Sequence, residues 1–365
     1  MSRPRARDLG IRIGRGRPGP LDAITDVAGV RVGHRSVVRG ADGDPHAVRT
    51  GVTAIWPHDG DPWDAPVYAG VHILNGYGEL IGINTIREWG VLESPILLTS
   101  SLLIGRVYDA AVRWIAGRSA SAGETVMPCV TECDDSFLSD VLSAPVDDAD
   151  VAAALESATA GAVAEGCVGA GVGMQGFDLK GGIGTASRVL PDDRGGFTVG
   201  VLVLTNHGER PDLLIDGVRV GEALTDLPLP DGDADGSCIV VVATDAPLLP
   251  HQLRRVAQRA GLGLARGGSY AGTTSGEQLI AFSTATRLPT RGETVELRAV
   301  IDGAFADGGS VLSAIFRATV EATEEAVVNA LVAAETTVGR DGHTLSALPI
   351  DRTLELLDRC GRLQR

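Results

Sequence analysis

The sequence predicts an α/β protein in which sheets are covered by helices, and three observations carry that prediction. Two runs, Phe197–Thr205 and Ser237–Asp245, are near-continuously apolar over the length of a strand, the pattern of buried strands. Four segments, 101–117, 148–165, 250–264 and 310–338, place apolar residues at helical spacing. The strands cluster, with helices before and after them, which favours packed layers over an all-β or all-α architecture. Of 365 residues, 44% are apolar and 22% charged, an ordinary globular composition; glycine, at 48 residues, is in marked excess and follows no collagen period.

Taken in order, Leu21 to Pro57 alternates short apolar runs with turn signals and reads as strands and turns. Residues 101–117 begin on a serine, a helix-start signal. Asp148 to Glu165 is Ala-rich and opened by acidic residues that suit a helix N-terminus. Residues 166–190 are glycine-dense and lead into the 197–205 strand. Leu227 to Gly236 is Pro-rich and acidic and reads as a solvated linker, so Ser237 stands where linker turns abruptly into buried strand. Pro250 introduces the 250–264 helix. Gln278–Ala285 and Thr294–Val300 read as strands, and Ser310–Val338 as a helix with acidic residues on one face.

The chain carries 32 basic and 47 acidic residues, a net charge of −15, against the basic face of a duplex binder. Its one basic cluster is the arm Arg3, Arg5, Arg7, Arg12, Arg15 and Arg17, which reads better as lying across a neighbouring subunit than on nucleic acid. Lys180 is the only lysine. No stretch of 18 apolar residues occurs, so no membrane partner is expected, and the basic N-terminus lacks the apolar core of a secretory signal. Cys129, Cys133, Cys167, Cys238 and Cys360 are odd in number and scattered. They form neither a disulfide framework nor a zinc pattern, which suggests reduced thiols, a cytoplasmic location and no metal.

Familiar catalytic motifs are missing. Gly171-Val-Gly-Met-Gln-Gly176 matches G-x-G-x-x-G, but a helix precedes it and no strand-to-helix turn holds it, so a dinucleotide role is not expected. The seven histidines include no H-E-x-x-H pair, and no G-x-S-x-G elbow exists. His207 reads first as a packing residue and second as a base. There remains Asp-Gly236-Ser237-Cys: a hydroxyl after glycine, between linker and strand, fits the precursor of an N-terminal nucleophile. Attack on the preceding carbonyl and hydrolysis would free an α-amine whose pKa of about 7.7 to 8 lets it serve as a base. Taken alone, such a serine is more often an ordinary loop residue.

A wider resemblance decides the matter. Arg5 to Val27, His72-Ile-Leu-Asn-Gly-Tyr-Gly-Glu-Leu80, Leu179-Lys-Gly-Gly-Ile-Gly-Thr-Ala-Ser187, Gly236-Ser-Cys-Ile-Val-Val-Val-Ala-Thr-Asp-Ala-Pro-Leu248 and Gly342-His-Thr-Leu-Ser-Ala-Leu-Pro349 resemble, in order, the DmpA family. These are the L-aminopeptidase/D-esterase-amidases, including β-aminopeptidases. The resemblance implies a four-layer αββα sandwich of the DmpA/ornithine acetyltransferase type, only superficially like the Ntn hydrolases. It implies one domain, 1–365, cut between Gly236 and Ser237 into chains 1–236 and 237–365. Ser237 is then the nucleophile, Asn206 the oxyanion donor, and Ser275 with Glu277 the proton-handling pair; Glu132 binds the substrate ammonium, and Asn75 and Tyr77 shape the pocket. Cys133-Asp-Asp-Ser136 departs from the aromatic or Gly-bearing sequence expected there, which bears on side-chain preference. The implied substrates are small peptides, amides or esters with a free amine, with no cofactor and a homotetramer of αβ units or larger. An acyl transferase of the ornithine acetyltransferase kind is the alternative, although that class is expected to use threonine; an inactive binding protein retaining the fold is another.

Overall fold

The computed structural model describes residues 4–230, 236–290, 294–301 and 310–364. Two sheets form its centre. The first contains β1 (Arg31–Arg39), β2 (Val48–Trp56), β4 (Leu80–Ile81), β6 (Ile96–Ser100) and β7 (Cys129–Cys133), in the order β1-β2-β6-β7-β4. The second contains β3 (Val67–Gly76), β5 (Val91–Leu92), β10 (Ile183–Val189), β11 (Thr198–Asn206), β14 (Ser237–Thr244) and β15 (Gly276–Arg287), in the order β10-β11-β14-β15-β3-β5. Within it only β14 and β15 run parallel. Two short ribbons, β8 (Gln175–Gly176) with β9 (Leu179–Lys180) and β12 (Leu214–Ile215) with β13 (Val218–Arg219), lie between these strands in the chain.

Alternation along β14 shows why the strand is apolar throughout. Cys238, Val240 and Val242 face helices α5 (Pro250–Arg266) and α6 (Val311–Ala333), whereas Ile239, Val241 and Ala243 face the other sheet. A strand covered on both sides has no polar face to offer. The outer face of the first sheet packs under α2 (Ile104–Arg118) and α4 (Asp148–Glu156), giving the expected order helix, sheet, sheet, helix. Smaller helices α1 (Ile83–Trp89), α3 (Ala120–Gly123) and α7 (Ile350–Arg359) lie at the margins.

Several local expectations change. The 148–165 helix stops at Glu156, because Thr159 leaves it to exchange both backbone hydrogen bonds with Val32 at 3.0 Å. Ser101 does not cap a helix; residues 101–103 form a 3-10 turn and α2 starts at Ile104. Residues 294–300 form no strand: 294–299 are exposed and pair with no strand among the described residues, and Val300 is tied at both backbone groups, its N–H donating to the Pro247 carbonyl at 2.9 Å and its carbonyl accepting from Gln252 Nε2 at 2.8 Å. α6 ends at Ala333, short of Val338, and its glutamates are buried in ion pairs. Two arginines of the basic arm are held by carboxylates of their own chain. Arg5 binds Glu165 at 2.7 Å and Arg7 binds Glu325 at 2.6 Å, both within the same chain. Arg3, and residues 231–235 of the expected linker, lie outside the described residues.

Candidate active site

Strand register gathers the predicted residues at one edge of the six-stranded sheet. Ser237, the first residue of β14, stands opposite Asn206, the last of β11, and opposite Gly276, the first of β15. The next position, Glu277, pairs with Asn75 near the end of β3. Positions far apart in sequence thus share one rim, and all but Asn75 have their side chains buried.

Around the expected cleavage point the backbone is tightly confined. The Gly236 carbonyl accepts the Gly276 N–H at 3.1 Å, so the bond in question already has a donor on its oxygen. A Cβ on Gly236 would lie 1.9 Å from the Asn206 carbonyl oxygen, a close approach open only to glycine. Ser237 shares the inter-sheet face of Ile239 and Val241. There its hydroxyl meets the thiol of Cys133, whose pKa burial drives well above the ordinary thiol range. That thiol also donates to the Leu204 carbonyl at 3.8 Å.

Ser275 and Glu277 point to the other face, as their i, i+2 spacing predicts, and the Ser275 hydroxyl donates to Glu277. Burial raises the Glu277 pKa against the opposing effect of that hydrogen bond. No hydrogen bond between Ser275 and Ser237 appears among the described residues of the unbroken chain. Asn75 clamps the turn before Ser275: its Nδ2 donates to the carbonyls of Gly272 at 2.6 Å and Thr273 at 3.2 Å. Tyr77 is largely exposed at the rim.

Asn206 accepts the Gln175 N–H on Oδ1 at 2.9 Å, which fixes its amide and leaves Nδ2 with no partner among the described residues. Glu132 comes from the facing sheet, one residue before Cys133. It accepts the Glu79 N–H at 2.8 Å and the Ser101 hydroxyl, and burial raises its pKa. Ser101 and Gln175 are the residues that sequence reasoning missed, and Cys133 is marked there only by its departure from the family pattern, not as the neighbour of Ser237. The serine signal at 101 points to a cap, and nothing local marks Gln175. No group of three metal-binding side chains occurs among the described residues, and no helix among them is long and apolar enough to cross a membrane.

A hydroxyl opening a central strand behind a glycine, beside an amide donor and a serine–carboxyl pair, within αββα layers, defines a hydrolase of the N-terminal-nucleophile kind. Comparison with known proteins agrees. Peptidase family S58 matches residues 22–345. The chain is 41% identical to "Beta-peptidyl aminopeptidase BapA" of Sphingosinicella microcystinivorans, over 99% of this chain and 93% of that protein. A solved Burkholderia sp. β-aminopeptidase superposes with a TM-score of 0.91 at 45% identity, covering 98% of this chain and 99% of the other. The L-aminopeptidase D-Ala-esterase/amidase of Ochrobactrum anthropi gives 0.90 at 42% identity, covering 99% and 100%. The chain belongs to peptidase family S58 and is a self-processing aminopeptidase with a serine nucleophile. The Ochrobactrum structure is described as a new variant among the Ntn hydrolase fold, a nearer relation to that class than the sequence resemblance implied.

Proposed function

We propose that the chain matures by cleavage between Gly236 and Ser237 and then removes N-terminal residues, including β-amino acids, from short peptides, amides and esters. The carrying observation is the single rim on which Asn206, Ser237 and Gly276 stand in register. In maturation Ser237 Oγ attacks the Gly236 carbonyl carbon while the Gly276 N–H holds the carbonyl oxygen. The C–N bond breaks, its nitrogen takes a proton to become the Ser237 α-amine, and water hydrolyses the resulting ester to a Gly236 carboxylate. In turnover that amine accepts the Oγ proton as Oγ attacks the substrate carbonyl. Asn206 Nδ2 donates to the developing oxyanion. The leaving amine receives the proton, and water releases the acyl group. The Ser275–Glu277 pair lies one position along the neighbouring strand and serves to hold the new amine and its proton.

Glu132 reads the substrate's ammonium, a charge-assisted contact that its two donors keep aimed. The name of the Sphingosinicella relative supports β-amino acids among the substrates. All five cysteines are unpaired, which supports a cytoplasmic site of action, and exposed apolar side chains such as Leu74, Leu262 and Ile301 support assembly into a homo-oligomer. The test compares p-nitroanilides bearing a free amine with their N-acetylated forms. Wild type is expected to cleave only the free amines, and Glu132→Gln to raise KM for them with a smaller change in kcat. Equal turnover of acetylated substrate would refute the assignment.

A further inference from the structure

Lys180 has no part in the chemistry above, yet it is the only lysine of the chain and is fully buried. An ammonium taken out of water is costly unless it is bound. Its Nζ donates to three main-chain carbonyls, Gly171 at 3.0 Å, Met174 at 2.7 Å and Gly181 at 2.8 Å. Two of these belong to the Gly171–Gly176 segment with the G-x-G-x-x-G spacing. A dinucleotide loop turns N–H groups toward phosphate; this one turns carbonyl oxygens toward a cation. Gly173 has to be glycine for the loop to close, since a Cβ there would lie 2.1 Å from the Arg49 carbonyl.

The shortest of the three contacts falls on the Met174 carbonyl, and the N–H of the same peptide unit is that of Gln175, which donates to Asn206 Oδ1 at 2.9 Å. A peptide unit is planar, so holding its oxygen fixes the direction of its N–H. A cation on that oxygen also polarises the unit and strengthens donation at the other end. With Oδ1 held, Asn206 keeps Nδ2 free; if its amide turned over, a carbonyl oxygen would face the reacting centre.

We propose that Lys180 is a positioning residue for the oxyanion donor Asn206, acting through the Met174–Gln175 peptide. The proposal rests on the role given to Asn206 above. The test is a double-mutant cycle of Lys180→Met and Asn206→Ala on the full chain, with kcat per titrated mature site and KM read separately. For variants that mature slowly, the rate of conversion of the 365-residue chain is read in the same cycle. Asn206→Ala is expected to lose about 100- to 1000-fold in kcat. Lys180→Met is expected to lose at least about tenfold with KM nearly unchanged, and to add no more than about twofold in the Asn206→Ala background. Multiplying losses, or a folded Lys180→Met with wild-type kcat, would overturn the proposal. Unchanged kcat in Asn206→Ala would instead overturn the oxyanion assignment itself. If Lys180→Met does not fold, Lys180→Arg keeps a cation but displaces it from the three carbonyls. Its kcat is then expected to fall, and wild-type kcat in that folded variant would overturn the proposal equally.

Discussion

Replacing Gly236 by alanine adds one methyl group at a crowded point of the proposed maturation site. Its carbon would stand 1.9 Å from the Asn206 carbonyl oxygen and 2.8 Å from both the Asn206 carbonyl carbon and the His207 Cα. Non-bonded carbon contacts settle near 3.5 Å, so the chain has to yield by roughly 1 Å or more. All three obstacles are backbone atoms, and Asn206 is pinned in the sheet opposite Ser237. Movement of Gly236 away from Asn206 therefore shifts its carbonyl, which now accepts the Gly276 N–H at 3.1 Å, out of its present alignment. A displacement of about 1 Å at a reacting centre can cost about 100-fold in rate. Gly236→Ala is expected to slow the appearance of the 237–365 fragment by at least that factor, followed by intact mass over time. Gly105→Ala, where an added Cβ meets nothing within 4 Å, serves as the control and is expected to mature normally. Conversion of Gly236→Ala at the wild-type rate would show that the confinement around the bond has no part in the reaction.

Two further outcomes concern ionisation. Only the ionised Glu132 carboxylate attracts an ammonium, and burial raises its pKa. KM for amine substrates is therefore expected to rise as pH falls, with a midpoint above the usual glutamate range; Glu132→Gln is expected to lose that dependence, and a persisting midpoint would point to another group. His207 is buried against Phe177 with both ring nitrogens unpartnered among the described residues, and burial lowers its pKa from 6.5 to about 4. The unfolded chain therefore takes up the proton first: the stability is full above the unfolded value and falls by about 3 kcal/mol as pH drops through the folded one. His207→Phe is expected to flatten that acid loss in urea titrations between about pH 7 and about pH 4, and an unchanged slope would place the loss elsewhere, with His34 the next group to test.

Local signals in the sequence were good guides wherever a segment's burial is uniform. The β14 run announces itself because both of its faces are covered, and Pro250 marks the start of α5. They misled where a distant partner decides. Thr294–Val300 alternates like a strand but pairs with no strand among the described residues, and Thr159 leaves its helix for Val32. The candidate active-site rim was legible as a set of family positions, not as geometry. Only pairing register shows that Asn206 and Ser237 are opposite each other, and that Ser275 and Glu277 face away from the Ser237 side chain. Gln175 and Lys180 were beyond reach because their roles lie in backbone groups of a glycine turn, and no side-chain pattern encodes the direction of a carbonyl.

The glycine excess now has a partial physical reason: Gly173 and Gly236 both stand where another strand's carbonyl leaves no room for a side chain. The assignment of Ser237 as a nucleophile released by self-cleavage is tested most directly by intact mass and N-terminal sequencing of purified wild type beside Ser237→Ala. Wild type is expected to yield chains of 236 and 129 residues, the second beginning Ser-Cys-Ile-Val, while Ser237→Ala stays whole and inactive. An active wild type that remains a single chain of 365 residues, or a Ser237→Ala protein that still divides there, would contradict it.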